Sequence, residues 1–402
     1  MARFPDATYL DRDARRDDPQ LWSDSSARGM VVTAHYRATG AGVDILEAGG
    51  NAIDAAVAAS LALAVCESAG SGLGGMAMML LFDAARGKVV ALEGPCRAPR
   101  RATPGAIASR RRYRGYAAVA VPSHVSVLQH AVERYGSLPA RDLLGPAIGL
   151  ADEGLLPTPV QRRLLEHYKE ALRSGNAGHL FLDSTGEPAV LGSRFRQPHL
   201  AETLRRLAES GLDSFYRGAI AREIAADVEA NGGFIRDDDL FEFPAPRESE
   251  ALQTRLDDGQ VLTMGPPAGG LALLQMLALE RSGGWDLDPD THEGAIALAS
   301  IIRRVRQDRR RYRSKMRADG PGEAAELLTA RYAAAACAEI VAAIEGRGET
   351  SHLCVADRWG NVVSMTQSIE RSFGAAVATP SLGFLYNGYL RAFKIQNHSC
   401  PR

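Results

Sequence analysis

The alanine-rich stretch of residues 52–66 constrains the fold most. Asn51 directly before it has the side chain that caps helix N-termini, and Asp54 places a negative charge in the first turn. Gly49 and Gly50 follow a helical pattern over residues 38–47 and act as a stop signal. The sequence therefore predicts two helices joined by a glycine corner. The many glycines beside alanines indicate close packing of backbone on backbone.

The composition is that of an average globular chain, with 46% hydrophobic and 24% charged residues and a formal net charge of -1. A charge so close to zero disfavours chain-wide attraction to nucleic acid or to an anionic membrane. Residues 1–30 lack the apolar run of a signal peptide, and residues 52–66 are shorter than the roughly 20 residues that a membrane helix needs. The five scattered cysteines include no CxxC pair, which favours a reducing compartment. We expect a cytoplasmic protein with no membrane and no nucleic-acid partner.

Hydrophobic periodicity predicts a chain of mixed helices and strands. Residues 76–82 and 88–92 are β-prone and separated by a turn, so we expect a core hairpin there. Further helices are predicted at residues 125–135, 143–153, 159–174, 200–210, 219–231, 271–281, 293–317 and 323–344. Further strands are predicted at residues 260–264, 351–356, 361–367 and 383–386.

The glycines at positions 70, 72 and 75 match the GxGxxG pattern of dinucleotide-binding loops. That fingerprint needs a strand before it and a helix after it, whereas here a helix precedes and a strand is predicted to follow. A tight packing turn is therefore favoured over a nucleotide site. The histidines show no metal-binding spacing, and no GxSxG elbow is present. We expect neither a metal nor another cofactor.

A run of basic residues between Arg303 and Arg317 raises the alternative of nucleic-acid binding. Its spacing spreads positive charge around much of a helix, and only Tyr312 is available for stacking on bases. A solvated helix face, partly paired with acidic residues elsewhere, is favoured over a nucleic-acid site.

The segment Glu349-Thr350-Ser351-His352 joins a charged, glycine-containing loop to a predicted strand. The simple interpretation is a β-prone threonine that begins a hairpin. The alternative is that cleavage before Thr350 gives one residue both a hydroxyl nucleophile and an α-amine base. An α-amine has a pKa of roughly 7.7–8.0, so part of it is unprotonated at neutral pH and no histidine is required.

Short motifs between Gly29 and the end of the chain follow the order of one known family. They are Gly29-Met30-Val31-Val32, Ala34-His35, Gly40-Ala41-Gly42, Ile45-Leu46, Gly49-Gly50-Asn51-Ala52, Asp54-Ala55-Ala56-Val57-Ala58, Gly70-Ser71-Gly72-Leu73-Gly74-Gly75, Asp238 with Leu240, Pro266-Pro267, Gly269-Gly270 and Thr350-Ser351-His352. With them the chain resembles the gamma-glutamyltransferase (gamma-glutamyltranspeptidase) family.

The resemblance implies an α/β, four-layer αββα N-terminal nucleophile hydrolase sandwich. It implies autocatalytic cleavage between Glu349 and Thr350 into two fragments that stay associated, and a small-molecule amide or peptide-like substrate. Ser368 matches the hydroxyl that supports the nucleophile, and Thr366 lies one pleat earlier on the same face. The implied organisation is a tail at residues 1–27, a large-subunit region at 28–349 and the start of a small-subunit region at 350–402.

Several family positions that hold a γ-glutamyl group differ in this chain. Pro95 stands where the family has the arginine that binds the α-carboxylate, and Glu370 replaces an asparagine. Tyr389 and Ala392 replace the glutamine and the acidic residue that bind the α-amine. Loss of such charge-assisted contacts predicts a substrate other than a γ-glutamyl amide. Arg97 and Arg371 remain candidates for holding a substrate carboxylate; the alternative for each is a surface residue with no such role.

The region from Thr350 to Arg402 is shorter than the family's small subunit. The resemblance implies that the missing part carries the oxyanion donors, so we expect a sandwich that is incomplete at its C-terminus. The leading hypothesis is an N-terminal threonine amide hydrolase or acyltransferase in which Thr350 forms an acyl-enzyme. The alternative is a catalytically inactive truncated member or fragment.

Overall fold

The computed structural model describes residues 25–108, 114–188, 192–256, 259–266, 268–285, 287–288, 290–312, 322–337 and 351–392. The main sheet has six strands in the order β1-β7-β8-β2-β3-β4, and all neighbouring strands are antiparallel. A separate ribbon pairs β5 with β6. The strands are β1 (Gly29–Thr33), β2 (Met76–Asp83), β3 (Lys88–Gly94), β4 (Arg247–Glu250), β5 (Leu252–Leu256), β6 (Gly259–Thr263), β7 (Ser351–Asp357) and β8 (Val362–Ser368).

Helices make up most of the remaining structure. They are α1 (Tyr36–Glu47), α2 (Ala52–Cys66), α3 (Pro104–Ala108), α4 (His124–Tyr135), α5 (Ala140–Glu153), α6 (Pro159–Ser174), α7 (Gly178–Phe181), α8 (Pro198–Ser210), α9 (Ser214–Arg217), α10 (Ala219–Ala230), α11 (Asp237–Phe241), α12 (Gly270–Gly283), α13 (His292–Tyr312) and α14 (Ala330–Cys337). Short 3-10 helices span Tyr116–Ala118, Gly322–Leu328 and Tyr389–Ala392.

Helix α2 is the central element of the core. Asn51 caps it as predicted, because its side chain accepts from the backbone N–H groups of Ile53 and Asp54 while the Asp54 carboxylate accepts from the N–H of Asn51. Every residue from Ala52 to Cys66 is buried. Its small side chains let α1, α5 and the sheet approach from different sides, so this helix fixes the position of β7 and β8.

One face of the main sheet is buried against helix α2, and the opposite face is partly exposed to solvent. The inward face of the central strands packs against α2 through buried side chains such as Leu353, Val363 and Met365. On the opposite face Val32 is 58% exposed and Val362 is 43% exposed. Because side chains alternate along a strand, successive residues of β7 and β8 alternate between these environments.

Most predicted elements are present, and two need correction. Residues 383–386 form no strand, because the pairing there is a single parallel bridge between Tyr386 and Gly74. The helix predicted from residue 323 begins as a 3-10 turn, and α14 starts only at Ala330. Residues 338–344 of that prediction lie outside the described residues.

The arginine-rich helix α13 is tied to its neighbours in the fold. Arg304 Nε lies 3.0 Å from Asp308 Oδ2, and its Nη2 donates to the Tyr332 hydroxyl at 2.8 Å. The helix was predicted to continue to residue 317, but the basic residues beyond Tyr312 lie outside the described part of the chain. Within the described residues, no helix is both long and apolar enough to cross a membrane.

Candidate active site

The glycine loop, defined here as residues 70–75, joins the end of α2 to the start of β2. The Gly70 carbonyl accepts from the N–H of Ile369 at 3.3 Å, and the Gly74 carbonyl accepts from the N–H of Asn387 at 3.1 Å. A helix precedes the loop and a strand follows it, as expected. The loop is therefore a packing junction that holds the segment after β8, and its surroundings are the reverse of a dinucleotide fingerprint.

The start of β7 lies beside the end of β8. Ser351 pairs with Gln367, and His352 pairs with Thr366. Glu349 and Thr350, the predicted cleavage point and nucleophile, lie outside the described residues. The structure thus fixes the residue that follows Thr350 in the chain, and it fixes it one pair away from Ser368.

Ser368 is the best-defined candidate of the predicted site. Its side chain is buried, and its hydroxyl oxygen accepts from the backbone N–H of Glu370 at 3.0 Å. The Tyr389 phenol is hydrogen-bonded to the same hydroxyl, and burial raises the pKa of Tyr389 above its ordinary value. The Ser368 hydroxyl is consequently held in one place by main-chain and side-chain contacts.

Thr366 shares a face with Ser368 but has different surroundings. It is exposed, and its hydroxyl lies 2.8 Å from His352 Nδ1. The other ring nitrogen of His352 lies 3.3 Å from the Ser364 hydroxyl. Burial lowers the pKa of His352, so this imidazole is neutral at neutral pH. Thr366 therefore belongs with His352 on the uncovered face.

Glu370 and Arg371, two charged candidates for the substrate site, form an ion pair with each other. Glu370 has a φ of 88° and a side chain that is 10% exposed, and its Oε2 lies 3.1 Å from Arg371 Nε. A non-glycine residue in this backbone region is strained and is held there by its surroundings. Arg371 is thus engaged by its neighbour, which leaves little net charge beside Ser368.

Arg97 and Tyr389 lie in contrasting environments. The Arg97 backbone bridges to Val121, and its side chain is exposed, with no hydrogen bond or ion pair to any residue that the structure describes. Tyr389 instead packs against an apolar cluster that includes Cys96 and Leu390. Burial raises the pKa of the Cys96 thiol to about 12, so this sulfur stays protonated. The side chain of Ala392 lies outside the description.

Two features near Ser368 were not found from the sequence. Asn387 is fully buried, and its amide bonds to the Gly74 and Ala120 carbonyls at 2.8 Å while its oxygen accepts from the N–H of Tyr389 at 3.0 Å. Gln367 lies on the inward face of β8 with buried polar partners on other elements. The signal available for Gln367 was a polar residue at a position of the predicted strand that the alternation with Val363 and Met365 assigns to the buried, apolar face.

The structure brings Ser368, Glu370 and Tyr389 together, whereas the Thr366 hydroxyl contacts His352 and the Arg97 side chain contacts none of the three by a hydrogen bond or ion pair. The group consists of a buried hydroxyl, a carboxylate that is ion-paired with Arg371 and an aromatic side chain, and it lies beside the start of β7. Among the described residues, no three histidine, cysteine, aspartate or glutamate side chains are grouped to hold a metal ion. The arrangement can position and hydrogen-bond a neighbouring nucleophile.

Comparison with known proteins identifies the family. The gamma-glutamyltranspeptidase family model matches residues 38–400. The chain is 31% identical to the glutathione hydrolase proenzyme of Bacillus subtilis (strain 168), over 91% of this chain and 68% of that protein. It is 32% identical to the acylase ACY 1 proenzyme of Pseudomonas sp. (strain V22), over 92% of this chain and 70% of that protein.

The same result follows from solved structures. The cephalosporin acylase from Bacillus halodurans superposes with a TM-score of 0.81 at 29% identity, covering 95% of this chain and 74% of that one. The chain therefore belongs to the gamma-glutamyltranspeptidase family. Both the resemblance drawn from the motifs and the predicted fold class are confirmed.

Proposed function

We propose that this chain is the precursor of a self-processing amide hydrolase or acyltransferase with Thr350 as its nucleophile. The Thr350 hydroxyl attacks the Glu349 carbonyl carbon, and the acyl group moves from nitrogen to oxygen. This shift breaks the peptide bond and frees the Thr350 α-amine; water then hydrolyses the ester, which releases the Glu349 carboxylate and regenerates the Thr350 hydroxyl. In each later turnover the amine accepts the hydroxyl proton while the hydroxyl attacks a substrate amide, and water or an amine resolves the acyl-enzyme.

The observation that carries this proposal is the pairing of Ser351 with Gln367 beside Ser368. Thr350 is bonded to Ser351, and adjacent Cα atoms are about 3.8 Å apart, so the nucleophile is tethered within reach of this group. Ser368 already accepts from the N–H of Glu370, and its hydroxyl is also hydrogen-bonded to the Tyr389 phenol. In this proposal Ser368 orients the Thr350 oxygen during both cleavage and turnover.

The two products are expected to remain together. After cleavage β7 still pairs with β1, and β8 still pairs with β2, so the second fragment contributes two interior strands to the main sheet. Buried side chains such as Leu353 and Met365 stay packed in the main core. Separation would expose this apolar surface and break two strand pairings at once.

A neutral acyl group is the substrate class that the site supports best. Pro95 has no charge to offer a carboxylate, the Glu370 carboxylate is paired with Arg371, and Tyr389 lies in an apolar cluster. The acylase relatives in the family are in keeping with a non-glutamyl amide. We therefore expect amides of uncharged acids to be preferred over γ-glutamyl amides.

A panel of p-nitroanilides tests the proposal. The wild-type chain should release p-nitroaniline from butyryl and phenylacetyl anilides with a higher kcat/KM than from the γ-glutamyl anilide. Thr350→Ala should release none. Equal release by the Thr350→Ala variant would contradict the nucleophile, and a preference for the γ-glutamyl anilide would contradict the substrate class.

A further inference from the structure

A buried polar network lies behind the end of β8. It consists of Ser60 on α2, Ser71 in the glycine loop, His124 at the start of α4 and Gln367 on β8. Each of these residues is at most 1% exposed. Buried polar groups away from water need partners, so four such residues from separate elements indicate a specific arrangement.

The hydrogen bonds of the network assign a role to each atom. Gln367 Nε2 donates to the Ser71 hydroxyl at 3.0 Å and to the Ser60 carbonyl at 3.3 Å. The Ser60 hydroxyl donates to Gln367 Oε1. The Ser60 oxygen can then accept from His124 Nε2, which lies 2.8 Å away. The amide of Gln367 is thus satisfied at both ends by groups on α2 and the glycine loop.

His124 is neutral in this arrangement. Its Nε2 carries the proton that the network uses, and its Nδ1 is buried with no hydrogen-bond partner among the described residues. A second proton on Nδ1 would therefore be buried without an acceptor. Burial accordingly lowers the pKa of His124 to about 4.

The network connects directly to both sides of the proposed catalytic group. The backbone of Gln367 pairs with Ser351, the residue after Thr350, while the next residue along β8 is Ser368. On the far side of Ser368, the N–H of Ile369 donates to the Gly70 carbonyl at 3.3 Å. The residues before and after Ser368 are therefore both fastened to the glycine loop, one through a side chain and one through the backbone.

We infer that Gln367 is a positioning residue for self-cleavage, holding the start of β7 and the Ser368 hydroxyl in register against α2 and the glycine loop. The inference rests on the proposed function, because it needs cleavage at Thr350 as its readout. Gln367 lies on the opposite face of β8 from Ser368 and acts through the strand. Its amide oxygen and nitrogen are both required, since the oxygen accepts from the Ser60 hydroxyl on α2 and the nitrogen is the atom that donates to Ser71 in the glycine loop.

Self-cleavage rates of matched variants test this role. Gln367→Leu removes the side-chain hydrogen bonds to Ser60 and Ser71 and should slow appearance of the fragment that begins at Thr350 at least tenfold, at a temperature where circular dichroism shows a folded chain. Gln275→Leu is the control, because Gln275 is also a buried glutamine, bonded to Asp308 at 2.7 Å on the distant helices α12 and α13. It should lower the Tm but leave the cleavage rate within twofold of wild type.

Gln367→Glu separates positioning from general stability. An ionised carboxylate cannot donate to Ser71, whereas a protonated carboxyl group regains one donor. Its cleavage rate relative to wild type should therefore rise as the pH falls from 8 to 6, while that of Gln367→Leu stays flat. Wild-type rates for Gln367→Leu, or equal slowing by Gln275→Leu, would overturn the inference. An uncleaved wild-type chain would instead overturn the proposed function and this inference with it.

Discussion

At the scale of single residues, the site depends on how Ser368 is held. Its oxygen accepts a main-chain N–H, its neighbour Tyr389 is hydrogen-bonded to it, and its strand is fixed on both sides. In the proposed mechanism, a hydroxyl held in this way needs little reorganisation to orient the nucleophile, and such pre-positioned groups contribute strongly to catalysis. Thr366, on the same face, bonds His352 and lacks this confinement.

Removal of the Ser368 hydroxyl should therefore slow self-cleavage. We expect Ser368→Ala to reduce the rate by about 10²-fold, in the range found when one positioned hydrogen-bonding group is deleted. Ser364→Ala is the matched control, because it removes a hydroxyl from the same strand and face. The measurement is a time course of fragment formation, and equal rates for the two variants would remove Ser368 from the mechanism.

At the scale of elements, the glycine loop sets the distance between the core and the segment after β8. A Cβ added at Gly74 would lie 2.1 Å from the Leu385 carbonyl oxygen, closer than any real contact allows. At Gly72, in the same loop, an added Cβ would meet nothing within 4 Å. Glycine is thus needed at one of these positions for close approach of two backbones.

This contrast gives a stability test within one loop. Gly74→Ala should lower the free energy of unfolding by roughly 1–3 kcal/mol, since the two backbones must move apart. Gly72→Ala should change it by less than about 0.5 kcal/mol. Urea denaturation followed by circular dichroism measures both, and similar values for the two variants would rule out the packing role of Gly74.

The elements that could be predicted from the sequence are those with local signals. Helix α2 was placed correctly because Asn51, Asp54 and an unbroken alanine-rich run all lie within sixteen residues. Strand β1 was missed, because its pairing partner β7 lies more than 300 residues away and its five residues show no clear alternation. The strand predicted at residues 383–386 was wrong because β-prone residues there meet a single partner in the glycine loop.

The residues of the candidate site also separate into those that a local sequence signal could predict and those that it could not. Ser368 and Tyr389 were predicted from motif positions, and the structure shows that they contact each other. The network around Gln367 was not predictable, because Ser60, His124 and Gln367 are neighbours only after α2, α4 and β8 pack together. Spacing along the chain carries no information on such a cluster.

At the scale of the whole molecule, buried histidines make stability depend on pH. Burial lowers the pKa of both His35 and His124 from 6.5 to about 4. The unfolded chain binds a proton on each below about pH 6.5, whereas the folded chain does so only near pH 4. The stabilisation is therefore complete above pH 6.5 and is lost as the pH falls toward 4.

We expect each histidine to lower the free energy of unfolding by about 2 kcal/mol between pH 7.5 and pH 5. His35→Asn should remove one of the two contributions while keeping the helix cap, since His35 accepts from the N–H of Arg37 and asparagine is also a good cap. Urea denaturation at the two pH values measures the difference. An unchanged pH dependence in His35→Asn would exclude His35 as a source.

The proposed chemistry and the proposed roles of Ser368 and Gln367 all depend on cleavage before Thr350. It is tested most directly by the intact mass of the purified chain under denaturing conditions. The wild type should give two species, one ending at Glu349 and one beginning at Thr350, while Thr350→Ala should remain a single chain. A wild-type chain that stays intact, or a split that Thr350→Ala leaves unchanged, would contradict the assignment of Thr350 as a self-activating nucleophile.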